Sequence, residues 1–105
     1  MYENLYFMTD KAIVQRMGKK IQEVRLRQNI TQQKLAVDAG TSLSTVQKIE
    51  RGDIGSIMSY IQILRVLRML DSLYLLVEEE KLSPSQILEA QEKAAKYKRK
   101  HASNK

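Results

Sequence analysis

Apolar residues recur along this chain at three- and four-residue spacing, and turn-forming residues cut the pattern into helical segments. The first opens at Asp10, read as an N-cap, and carries Ile13, Val14, Met17, Ile21 and Val24 on one face before ending near Asn29. Gly18 lies inside it, where glycine costs up to about 1 kcal/mol of helix propensity, so close packing is the expected reason for it. Thr31 caps a second helix running to about Ala39, with Lys34 standing where a capping box needs Glu or Gln. Gly40 supplies the left-handed turn that stops this helix. Ser42 caps a third helix, Leu43 to Glu50, and Gly52 ends it. A fourth, from Ser56 to about Leu70, is apolar around more than one face, so more than one face must be buried. Asp71 to Val77 reads as a short fifth helix, and its Leu-Tyr-Leu-Leu-Val run reads equally as a short strand.

The pattern then changes. Glu78-Glu79-Glu80-Lys81 reads as a linker, and Ser83-Pro84-Ser85-Gln86 as a helix start: Ser at the cap, Pro at the first position, Gln closing a capping box. A last helix is expected from Pro84 to about Tyr97, with a frayed basic end, Lys98-Arg99-Lys100-His101. The expected fold is all-α. Residues 9–77 form the main domain, and residues 78–105 form a linker, a C-terminal helix and a basic tail. At the other end, Glu3-Asn4-Leu5-Tyr6-Phe7 resembles the site of a plant-virus protease used to remove expression tags, with Met8 in place of the expected Gln. Residues 1–8 are therefore read as a tag remnant or a native disordered start, and no function is drawn from them.

Charge sharpens the picture more than composition does. The 105 residues carry a net +6. Between Lys11 and Val77 eleven Lys/Arg face five Asp/Glu, and from Gln91 onward six basic residues face one Glu. Two basic regions suit a polyanion partner, and suit equally a surface kept soluble by charge. Cysteine is absent, which removes disulfides and thiolate metal sites and suits a reducing, cytoplasmic compartment. No apolar run approaches the roughly 20 residues of a membrane span, and no signal peptide is visible. The single histidine, His101, lies in the tail, and Glu78 to Glu80 form a solvated run. No catalytic constellation, metal site or cofactor site is therefore expected.

Two helices joined through Gly40-Thr41-Ser42 are the central signal. Leu35, Ala36 and Ala39 share one face of the second helix, and Val46 and Ile49 one face of the third. Small Ala36 suits a close helix crossing. The opposite side of the third helix carries Leu43, Ser44, Thr45, Gln47, Lys48 and Arg51. The stretch Thr31-Gln32-Gln33-Lys34-Leu35-Ala36, then Ala39-Gly40, then Ser42 to Gly52, resembles the helix-turn-helix of phage repressor and Cro proteins, the XRE family. With the flanking helices the resemblance covers about residues 11–76. It implies a five-helix lambda-repressor-like helix-turn-helix domain with an added C-terminal helix, and double-stranded DNA as partner. It also implies that the N-terminal part of the third helix enters the major groove. The base-contact candidates are then Leu43, Ser44, Thr45 and Lys48: Lys48 suits guanine O6/N7, and Thr45 a thymine methyl or a base hydrogen bond. Ser44 and Thr45 also read as ordinary helix-start residues. Gln32 and Gln33 are expected to hold phosphate through backbone N–H groups, with Lys34, Gln47 and Arg51 as further phosphate ligands. The resemblance also implies an ion pair between Arg25 and Glu50, structural in role. Asp53-Ile54-Gly55 reads as a loop near the DNA backbone or as a plain turn.

The leucine-rich half after residue 56 exceeds what one small core absorbs. A homodimer surface of Ile63, Val66, Leu67, Leu70, Leu73 and Leu76 is expected, since a symmetric operator needs two recognition helices about 34 Å apart. Glu50 to Ser56, then Leu64-Arg65-Val66-Leu67, Leu70 to Leu76, Ser83-Pro84 and a basic tail look like the HipB-like antitoxins. That resemblance implies a toxin protein as an additional partner. The acidic linker and longer last helix depart from that subgroup. The tail reads either as a DNA-wrapping arm or as a solubilising end. Repression is the family default. The rival class is a pure protein-interaction module using the apolar surface after residue 56. A membrane-surface role for the last helix is weaker, because its apolar face (Ile87, Leu88, Ala90, Ala94) is thin.

Overall fold

A computed structural model of the chain describes residues 4–79 and 83–102, with backbone alone for 98–102. A 3-10 turn, Leu5–Phe7, precedes α1 (Asp10–Arg27), α2 (Gln32–Ala39), α3 (Leu43–Glu50) and α4 (Ile57–Val66). A second 3-10 turn, Leu70–Leu73, leads into α5 (Tyr74–Val77), and α6 spans Pro84–Ala102. No strand occurs among the described residues, so the strand alternative for the run ending at Val77 gives way to helix.

Hydroxyl caps start the longer helices. Thr9, Thr31, Ser42 and Ser56 accept the N–H of Ala12, Lys34, Thr45 and Ser59 at 3.1, 3.0, 3.1 and 3.2 Å. Thr9 therefore replaces the expected Asp10 as the cap of α1. Asp10 becomes the first helical residue, where its charge complements the positive end of the helix dipole. At α6 the box is reciprocal: Gln86 N–H donates to Ser83 Oγ at 3.3 Å, and Ser83 N–H to Gln86 Oε1 at 2.9 Å.

The ends of α1 to α4 share one device. A left-handed residue (Asn29, Gly40, Gly52 or Arg68) turns the chain so that the N–H after it reaches back five residues. These bonds are Ile30 to Arg25, Thr41 to Ala36, Asp53 to Lys48 and Met69 to Leu64, at 3.1, 3.0, 2.9 and 2.8 Å. The last of them ends α4 at Val66 rather than at Leu70 as expected. Leu67 is buried at this stop, and Met69 and Leu70 beyond it lie half-buried at the core edge. At the other extreme, α6 continues past Tyr97 to Ala102.

The core unites Ile21 of α1, Leu35 and Ala36 of α2, Val46 and Ile49 of α3, and Tyr60, Ile63 and Leu64 of α4 with Leu67. Gly18 is where α1 crosses α3. A Cβ there overlaps the Ile49 carbonyl oxygen and lies 3.0 Å from Gly52 N, so close packing does account for this glycine. Two of the expected dimer residues belong to this core. Ile63 is 0% and Leu67 1% exposed, so neither reaches a partner without unfolding its own protomer. Their apolar spacing reflected a helix buried against α2, not a second face turned outward. One compact unit ends at Tyr74 and another begins at Leu75.

Candidate nucleic-acid interface

The local sequence of α3 sorts its side chains by side. Val46, Ile49 and Glu50 turn inward, while Leu43, Ser44, Gln47, Lys48 and Arg51 are exposed. Their spacing of one, three, one and three residues is that of a single helical stripe. The stripe begins at the N-terminus of α3, where Ser42 Oγ takes the Thr45 N–H. Ser42 Oγ also lies 2.8 Å from Thr45 Oγ1, so the Thr45 hydroxyl already has a partner and its half-buried side chain stands at the stripe's edge. Thr45 and Lys48 share a shallow depression with Asp53, Gly55, Ser56 and Ser59. The 53–55 loop therefore adjoins the stripe.

The N-terminus of α2 supplies the second part. Thr31 takes the N–H of Lys34, which leaves the N–H groups of Gln32 and Gln33, in the helix's first turn, without an intrahelical acceptor. Such amides, at the positive end of a helix, suit an anionic oxygen. Gln33 and Lys34 are exposed, and the Lys34 ammonium rests 3.1 Å from Asp38, an exposed contact that is easily exchanged for another anion.

A buried network fixes these two parts relative to each other. Arg25 Nε donates to Glu50 Oε2 at 2.7 Å and its Nη2 to Oε1 at 3.0 Å, while Nη1 donates to the Ile30 carbonyl at 2.9 Å. The Arg25 and Glu50 side chains are 8% and 2% exposed. Gln32 Nε2 completes the set by donating to Glu50 Oε1 at 3.1 Å. One carboxylate at the end of α3 thus holds α1 and the first residue of α2, and Arg25 links the pair to the turn before α2. The Gln32 side chain is committed to this network, which leaves its backbone N–H as the group open to a ligand. Sequence reasoning did not place that amide, because a partner 18 residues away leaves no local signal. Nor did it single out Ser59, or Ser56 other than as the start of the fourth helix.

Of the residues expected to touch bases, Leu43, Ser44 and Lys48 lie on the open stripe and Thr45 at its margin. Of those expected to touch phosphate, Gln47 and Arg51 lie on the stripe, and Gln32, Gln33 and Lys34 at the start of α2. Among the described residues there is no cluster of His, Asp and Glu able to hold a metal, and no helix long and apolar enough to cross a membrane. Residues 21–71 match a family model described as helix-turn-helix. No match to a curated protein was found. The match spans the caps of α2 to α4, the Gly40 turn, the stripe and the Arg25–Glu50 network together. Residues 21–71 are thus a helix-turn-helix domain of the phage repressor/Cro-like (XRE) family, the kind of domain that DNA-binding transcriptional regulators carry.

Proposed function

We propose that two copies of this protein bind one near-palindromic operator and repress transcription there by blocking polymerase. The observation that carries this reading is the exposed stripe of α3. It is polar and basic, it starts at a free helix end, and Glu50 braces it against the amides of α2. Leu43, Ser44, Thr45 and Lys48 are assigned to base edges, with Thr45 contributing its methyl group while its hydroxyl stays on Ser42. The backbone N–H groups of Gln32 and Gln33, with Lys34, Gln47 and Arg51, are assigned to phosphates. Supporting a dimer, Val66, Leu70 and Leu73 stay half-buried at the edge of the protomer core. Leu76, in the second unit, is 80% exposed.

Enrichment of binding sites from a random DNA pool tests the reading. Two inverted half-sites with centres about 10 base pairs apart are expected. A single asymmetric site contradicts the dimer on a palindrome, and no enrichment contradicts sequence-specific binding.

A second reading, an antitoxin that also captures a toxin, draws on one observation. Leu75, Leu76 and Val77 are 87%, 80% and 74% exposed, more apolar surface than DNA binding uses. Co-expression with the product of the adjacent gene tests it: a stable complex lost in Leu75→Glu supports capture, and independent elution of the two proteins removes it.

A further inference from the structure

We infer that α6 pairs antiparallel with the α6 of a second copy. The inference rests on the dimer reading and extends it to a surface outside the helix-turn-helix domain. Helix α6 runs for 19 residues, yet every described side chain from Ser83 to Tyr97 is exposed. A helix without a packed face is marginal in water, because most helical stability in proteins comes from burying an amphipathic side. The sequence nevertheless specifies this helix firmly, with a reciprocal capping box at Ser83 and Gln86 and Pro84 at the first position. One side repeats Ile87, Leu88, Gln91, Ala94 and Ala95 at three- and four-residue spacing. Large residues lie at one end of that side and small ones at the other, so two copies running in opposite directions set Ile87 and Leu88 against the alanines of the partner. Large-against-small pairing lets the two surfaces interdigitate.

Charge selects the second copy as the occupant and fixes the direction. Residues 83–92 contain Glu89 and Glu92 and no basic residue, while residues 93–102 contain Lys93, Lys96, Lys98, Arg99 and Lys100 and no acid. No acid lies in the first turn of α6, so the helix dipole does not account for the acidic half. Between copies, a parallel pair sets Lys93 and Lys96 against the same residues of the partner, and an antiparallel pair sets them toward the partner's acidic half.

The chain contains no cysteine, so introduced thiols are unique reporters. Leu88→Cys and Ala95→Cys are made separately in the full-length protein, at exposed positions outside the helix-turn-helix domain, with Ile87 kept in both. Each variant alone and an equal mixture are treated with a short bifunctional thiol reagent without DNA, and the mass of each sample is measured by light scattering. Antiparallel pairing predicts covalent dimer several-fold more abundant in the mixture than in either variant alone. Efficient cross-linking of each variant with itself overturns the antiparallel arrangement. A dimeric mass with no cross-link in any sample overturns α6 pairing while leaving the dimeric repressor intact. A monomeric mass at micromolar protein overturns both.

Discussion

Glu50 accepts hydrogen bonds from Arg25 and Gln32 and so joins three helices at one buried carboxylate. Removing one partner from such a pair strands the other charge out of water, so Arg25→Ala is expected to lower stability by about 3–5 kcal/mol in urea unfolding. The exposed Lys34–Asp38 contact is the natural control, and Lys34→Ala is expected to cost less than about 1 kcal/mol. Similar losses from both substitutions contradict the assigned difference in burial. A second buried group makes a pH prediction. Burial raises the pKa of Tyr60 above the ordinary value of 10.0, because the phenolate is disfavoured out of water. The neutral phenol is the form that fits the fold, so the stability it contributes is full below pH 10 and is lost as pH rises beyond it. Tyr60→Phe is expected to flatten that alkaline loss relative to the parent protein in thermal melts at stepped pH.

At the scale of elements, the helices owe their limits to single residues, and those limits differ in how readily the sequence declares them. Ser42 with Gly52 bounded α3, and Thr31 with Gly40 bounded α2, because hydroxyl caps and left-handed glycines act locally. Arg68 does the work of Gly52 without being a glycine, with φ at +61°, and this hid the true end of α4. Nothing in a run of apolar residues says where tertiary packing will break it. A side chain in the left-handed region costs about 1–2 kcal/mol, so Arg68→Gly is expected to raise stability by up to about 1 kcal/mol after the added freedom of the unfolded chain is counted. Gly18 gives the opposite sign. Alanine is the better helix former by about 1 kcal/mol, but its Cβ collides with the Ile49 carbonyl, so Gly18→Ala is expected to destabilise. A stabilised Gly18→Ala protein contradicts the tight crossing of α1 and α3. The exposed stripe of α3 was legible except for Thr45, which is half-buried at its margin, because amphipathic spacing on an eight-residue helix leaves one outward side. The burial of Ile63 and Leu67 was not, since these residues have the same chemistry whether they face their own core or a partner.

For the whole molecule, the family assignment makes DNA the partner, and the electrostatics determine how binding should respond to salt. Arg51 and Lys48 both stand exposed on α3 but hold different assignments. Arg51→Ala is expected to weaken binding to every sequence alike and to reduce the salt dependence by about one ion per protomer. The measurement that tests the central claim most directly is the affinity of parent and Lys48→Ala proteins for the enriched operator and for its single-base-pair variants, at fixed salt. If α3 reads bases, the substitution relaxes discrimination at one base pair per half-site by about 1–3 kcal/mol and leaves preference at the other positions unchanged. An equal loss on every sequence, with discrimination intact, places Lys48 on phosphate and contradicts the assignment of its end of the stripe to the base edges.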